Sequence, residues 1–153
     1  TATITPYVAE QFPKAMSVPS TSVRTVSAER TFWEKATILH KEAFRANGRL
    51  PDRYSRHYYD IYRMCQTDVK DNALDDLSLL KQVVEFKVRF WRSNAARYDL
   101  CKPGTMRLVP SEDTEERIRD DYARMRNMLF GDVPTFDKVM DAIVALETEI
   151  NAL

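Results

Sequence analysis

The chain is poor in glycine, cysteine and histidine, with 3, 2 and 2 of them among 153 residues. So few glycines make the glycine-rich phosphate loops of the Rossmann and P-loop kind improbable. Cys65 and Cys101 could close one disulfide but make no disulfide framework, and a reducing cytoplasm suits them better. His40 and His57 are too few for a histidine-rich metal site. No HExxH, CxxC or GxSxG pattern occurs, no carboxylate pair has a convincing metal spacing, and nothing supports a nucleophile triad. No run of about 18 apolar residues exists, so no membrane span is predicted. No basic-plus-apolar leader opens the chain. Thr1 in place of a methionine points to a processed chain or an excised fragment.

Net charge is missing too, since 23 basic residues balance 23 acidic ones. The balance hides an asymmetry. Residues 21–63 hold nine Lys/Arg against five Asp/Glu, and residues 112–153 hold five against eleven. The first stretch could meet a polyanion that the last would repel, although ordinary solvated helix faces give the same counts. What is present in quantity is apolar: 44% hydrophobic and 10% aromatic residues describe a folded chain, long enough for one domain with its own core.

The pattern predicts a mainly α protein, a bundle of about five helices preceded by a strand and loop segment. Residues 1–26 form that segment, and residues 27–153 the helical domain. Thr1–Val8 and Val23–Val26 are short strand candidates, with Pro6, Pro13 and Pro19 and nearby serines, Ser17 among them, marking loop. Ser27 can cap a first helix that Gly48 stops, with Phe32, Ala36, Leu39 and Ala43 as its stripe. A second runs from about Asp52 to Thr67 on Tyr54, Tyr58, Ile61 and Cys65. A third runs from about Asp75 to Trp91. It is apolar on two adjoining sides, through Leu79, Val83, Phe86 and Phe90 and through Leu77, Leu80, Val84 and Trp91, so it should be mostly buried. Ser111 can cap a fourth, ending at Gly131 with Ile118, Tyr122, Met125 and Leu129 inward. Thr135 can cap a fifth, with Phe136, Val139, Ile143, Leu146 and Ile150 inward.

Three places could carry chemistry. Lys35 falls beside the first stripe, where an ammonium can grip phosphate as a point charge or simply snorkel beside Glu34. His40, near the same stripe, reads as a buried, hydrogen-bonded histidine. The stretch Arg53-Tyr54-Ser55-Arg56-His57-Tyr58-Tyr59-Asp60-Ile61-Tyr62-Arg63 stacks Arg53, Arg56, Asp60 and Arg63 at helical spacings of three and four. That gives either a cationic face for an anionic ligand, oriented by the aspartate, or a surface ion-pair ladder worth little stability. Lys87 lies on the apolar third helix, where its charge needs a partner or an exit to water.

The string Ser27-Ala28-Glu29-Arg30-Thr31-Phe32-Trp33-Glu34-Lys35-Ala36-Thr37-Ile38-Leu39-His40 and the later Arg53-x-Ser55-Arg56-His57-Tyr58-Tyr59-Asp60 resemble the AbiEii family. This is a family of nucleotidyltransferase toxins of bacterial abortive-infection and type IV toxin–antitoxin systems. Lys87, the segment Pro103–Pro110 and Asp121-Tyr122-x-x-Met125 are similar to it as well, so the resemblance runs from about Ile4 to Asn151. Family members are roughly twice this length, and the chain resembles their second half. It lacks the glycine-rich turn and the D-x-D-like pair that hold magnesium in the first half.

The resemblance assigns Lys35 to the triphosphate oxygens and Asp60 to orienting that lysine or a substrate hydroxyl. It places Arg53, Arg56, His57 and Lys87 against the nucleotide or the RNA acceptor. Glu10 would match an acidic position near the catalytic sheet. The implied reaction is nucleotidyl transfer from an NTP with Mg to an RNA (tRNA) or protein hydroxyl, with pyrophosphate leaving. Without its metal-binding half the chain should be inactive. An antitoxin is an implied partner. The alternative is a non-catalytic helical module that binds RNA or the antitoxin. A surface left bare by the missing half, around Tyr7, Val8 and Phe12, could be covered in a dimer.

Overall fold

The computed structural model describes residues 1–15, 19–45 and 50–153. It is mainly helical, with one short antiparallel sheet at the start. Strand β1 (Ala2–Ile4) pairs with β2 (Thr21–Val23), Thr3 opposite Ser22. Between them lies a short helix α1 (Tyr7–Gln11), started by Pro6, so the extended stretch is shorter than Thr1–Val8. Glu10 therefore sits exposed on a helix turn and not in a sheet, which removes the reason for its match. The segment leaves Tyr7, Val8 and Phe12 at 85%, 55% and 62% exposure.

The helical body consists of α2 (Ala28–Ala43), α3 (Arg56–Met64), α4 (Val69–Asp75), α5 (Leu77–Phe90), α6 (Glu112–Met125) and α7 (Phe136–Asn151). Helix α2 starts where the Ser27 hydroxyl accepts the Arg30 N–H at 3.2 Å, the N-cap that its sequence predicts. The predicted stop at Gly48 falls outside the described residues, as does Ser17. Phe32, Trp33, Ala36 and Leu39 are fully buried. Burial of each large side chain contributes about 1.5–3 kcal/mol. Trp33 also donates its indole N–H to the Ala73 carbonyl at 3.1 Å, which fastens α4 to α2. Helix α4 fills the gap between the second and third helices that the sequence predicts. Helix α3 packs between α2 and α7, and α2 also carries α5.

Helix α7 buries the whole face Phe136, Val139, Ile143, Leu146 and Ile150, as its spacing predicts. The Thr135 hydroxyl caps it by accepting from Lys138 N–H at 3.3 Å. Ser111 does not cap the α6 backbone: its hydroxyl donates to Thr114 Oγ1 at 3.1 Å instead. An irregular stretch before α6 is held by side chains that mimic a strand partner. Asn151 accepts from Met106 N–H at 2.9 Å and donates to Met106 C=O at 2.8 Å, while Glu147 accepts from Leu108 and Val109 N–H.

Helix α5 departs from expectation. Leu80 and Val83 are buried, but Phe86, Val88, Phe90 and Trp91 are 38%, 47%, 60% and 61% exposed. Periodicity reports which side of a helix is apolar, not whether a neighbour reaches its end. The last turn of α5 meets α2 through the Arg30 side chain and the Glu34 carbonyl. No described helix is long and apolar enough to cross a membrane. Both cysteines are free.

Candidate functional site

Helices α2 and α3 bring Lys35, His57 and Asp60 together. Lys35 Nζ donates to Asp60 Oδ2 at 2.7 Å and lies 3.1 Å from His57 Nδ1. Lys35 and Asp60 each directly precede a fully buried residue of their helix, so packing of Ala36 and Ile61 sets where the charged tips stand. Their side chains remain 23% and 36% exposed, within reach of a ligand from solvent. An ammonium has three N–H donors, and two are engaged here.

The ammonium also fixes the His57 tautomer. A lysine N–H can only donate, so Nδ1 accepts and the ring proton sits on Nε2. Burial, and then the positive charges of Lys35 and Arg56, push the imidazole down to about 4. His57 is thus a neutral donor at physiological pH, not a cation. Lys87, from α5, donates to the Glu34 carbonyl at 2.9 Å, one residue before Lys35. Burial pushes its amine down to about 8, against the pull of Glu34 and with some help from Lys41 and Lys35. So the lysine on the apolar helix finds a backbone partner and stays protonated, by a narrow margin, near neutrality.

The arginine stack does not form as its spacing predicts. Helix α3 begins at Arg56, and Arg53 lies before it in the left-handed region at φ 59°. Its backbone N–H and that of Ser55 donate to the two oxygens of Asp121, both at 2.9 Å, and the Ser55 hydroxyl adds a third bond at 2.7 Å. This grip pulls Arg53 off the helix axis and towards α6, away from the register that would align it with Arg56. Among the described residues no arginine pairs with Asp60; Lys35 takes that place. Arg56 and Arg63 are exposed.

Asp121 is the residue that reading the sequence for chemistry missed. It is 3% exposed. Burial alone would raise its pKa, but the Ser55 hydroxyl and the Ser55 and Arg53 amides outweigh that and hold the carboxyl below the usual range. Its only sequence signal was the Asp121-Tyr122-x-x-Met125 string. His40 is fully buried, as read. It accepts from Arg107 N–H at Nδ1 (3.1 Å), and its Nε2 lies 3.0 Å from the Arg97 carbonyl, so Nε2 carries the proton. Desolvation keeps this ring neutral by lowering its pKa. It ties irregular backbone to α2 and takes no part in the Lys35 cluster.

A family model described as nucleotidyl transferase AbiEii toxin, type IV TA system, matches residues 1–142. The chain belongs to this family. Comparison with curated proteins and with solved structures gives no match. The family is one of nucleotidyl transferase toxins of type IV toxin–antitoxin systems. The strings that carried the resemblance now have positions: the first is α2, the second opens α3, and Asp121 from the last holds the second in place.

The magnesium that nucleotidyl transfer implies is a poor fit to the residues described. Among them no three His, Cys, Asp or Glu side chains come together as a metal site. The carboxylate best placed, Asp60, faces the Lys35 ammonium.

Proposed function

We propose that this chain is the cation-bearing part of an AbiEii nucleotidyltransferase, and that it grips the polyphosphate of an NTP while a nucleotide passes to an RNA, such as tRNA, or to a protein hydroxyl. The observation that carries this is the convergence of Lys35 with Asp60 and His57 from two helices. Asp60 and His57 Nδ1 hold the ammonium by two of its N–H groups, which leaves the third for a phosphoryl oxygen. The Nε2–H of His57 is a second, neutral donor. Arg56 and Lys87 supply positive charge nearby, since both act on the His57 ring. Positive side chains here would offset charge that builds on a leaving pyrophosphate. Metal ligands would come from the other half of the enzyme, so this chain alone transfers nothing.

The reading is tested by isothermal titration of the chain with an NTP at pH 8. A bound polyanion favours protonated Lys87, so binding takes up protons, about half of one per site, seen as heat that varies with the buffer. Lys35→Met abolishes it. Absence of nucleotide binding by the unaltered chain, with or without the missing half, would sink the assignment. NTP-dependent labelling of tRNA by this chain alone would refute its inactivity. Binding of RNA or an antitoxin without any of NTP would favour the non-catalytic module.

A further inference from the structure

The end of α5 reads Phe86-Lys87-Val88-Arg89-Phe90-Trp91-Arg92, in which aromatic and basic residues interleave and no acidic residue occurs. The rings form one group at the surface. The Phe86 centroid lies 4.7 Å from that of Phe90 and 5.3 Å from that of Trp91. Cations stand on them: Arg30 is 5.7 Å from the Phe86 centroid and Arg89 5.6 Å from that of Phe90. Arg89 and Arg92 form no ion pair among the described residues, so their charge is not spent within the chain. The group also borders the candidate site. Arg30 bonds Glu34 at 3.2 Å, the Glu34 carbonyl holds Lys87, and Lys35 is the next residue.

Clustered rings left in water mark a contact surface. The charge around them decides what touches it. Aromatics with arginine also occur at protein interfaces, but here Arg89 and Arg92 stand with no acidic residue in the segment, which favours a polyanion. Flat bases stack on any exposed aromatic face, and the phosphates between them need cations at the rim. We propose that this segment is a stacking platform for a single-stranded nucleic acid, with bases on Phe90 and Trp91 and phosphates on Arg89 and Arg92. It places the acceptor strand of the transfer proposed above, and for that purpose rests on that reading. The binding itself needs no nucleotide triphosphate.

Trp33 is fully buried and Trp91 is not, so quenching of tryptophan fluorescence by a bound strand reports Trp91. The 153-residue chain is titrated at low salt with an oligoribonucleotide of about ten nucleotides and, separately, the deoxy strand of the same sequence. Both are expected to quench, and tighter binding of the ribose strand identifies RNA as the ligand. By anisotropy of a labelled strand, Phe90→Ala and Trp91→Ala each weaken binding about tenfold. Arg89→Gln lowers the slope of affinity against salt by about one. All three side chains are exposed, and unchanged circular dichroism verifies that the variants fold. Failure of both strands to bind overturns the proposal, as does binding that Phe90→Ala and Trp91→Ala leave intact. Burial of Trp91 by a protein partner, with no strand bound, overturns it too. Strand binding that survives in Lys35→Met, where NTP binding is lost, supports it. Strand binding by a chain that never binds NTP breaks the nucleotide-gripping function and leaves this one standing.

Discussion

Replacing Asp121 by alanine tests the claim that one buried carboxylate positions the start of α3. The carboxylate accepts the Arg53 N–H, the Ser55 N–H and the Ser55 hydroxyl, at 2.9, 2.9 and 2.7 Å. Alanine orphans all three donors, the two of Ser55 in a buried place and the Arg53 amide in a part-buried one. An orphaned buried donor costs about 1–3 kcal/mol, and the three are neighbours whose costs do not fully add. Arg53 also loses what holds it in the left-handed region, a conformation that costs about 1–3 kcal/mol and persists only where the surroundings impose it. Relaxation there returns part of the loss. The net is a destabilisation of about 3–5 kcal/mol. With a urea slope of about 2 kcal/mol per molar, the unfolding midpoint falls by about 2 M.

Asp121→Asn keeps the shape and one acceptor oxygen but turns an NH2 group on a donor, so it falls between the two. The pH dependence gives an independent sign. The folded carboxyl titrates below its unfolded value, so its contribution is fully present above about pH 4 and is lost as pH falls through the folded pKa. Asp121→Ala lacks that acid limb. Because α3 carries His57, the variant also lets the imidazole drift up from about 4 towards its ordinary value, which proton NMR resolves. A midpoint that moves by less than about 0.5 M, with the acid limb and His57 unchanged, refutes the reasoning.

The unaltered chain has only two histidines, and both should titrate low by NMR, His57 near 4. Since the unfolded ring takes its proton first, stability falls as pH drops from about 6.5 towards 4, and a His57 midpoint near 6.5 would contradict the Lys35 contact. Lys87→Met removes a different slope. The folded amine titrates at about 8 against 10.5 in the unfolded chain, so stability rises with pH between those values in the unaltered protein. Urea midpoints from pH 7 to 10.5 should lose that rise, on the order of 3 kcal/mol, in the variant. Asn151→Ala strips both bonds from Met106 and should cost about 2 kcal/mol by the same assay; a change under about 0.5 kcal/mol would mean that water replaces the amide freely.

The helices were legible because their signals are local. Ser27 and Thr135 cap where they stand, and the α7 stripe from Phe136 to Ile150 has one period throughout. The meeting of Lys35 with Asp60 was legible only as a resemblance between strings, since nothing in the spacing of positions 35 and 60 brings them within 2.7 Å. What failed to show was set at a distance along the chain. Arg53 leaves its helical register because of a carboxylate 68 residues later. Phe90 and Trp91 fit the pattern of a buried helix, yet they stand 60% and 61% exposed, and the pattern is identical in either case. Helix α4 was hidden because its contact with α2, through Trp33 and the Ala73 carbonyl, leaves a short apolar pair and no full stripe.

The span between α5 and α6 forms only short 3-10 turns, Asn94–Ala96 and Tyr98–Leu100, yet it is fastened at Arg97, Met106, Arg107, Leu108 and Val109 by His40, Asn151 and Glu147. Such a strap has teeth. One residue inserted between Met106 and Leu108 would break the register between anchors: with Met106 seated on Asn151, Leu108 and Val109 would slide past Glu147 one helical turn away. A loop that looks spare in length is therefore as strictly measured as any strand in a sheet.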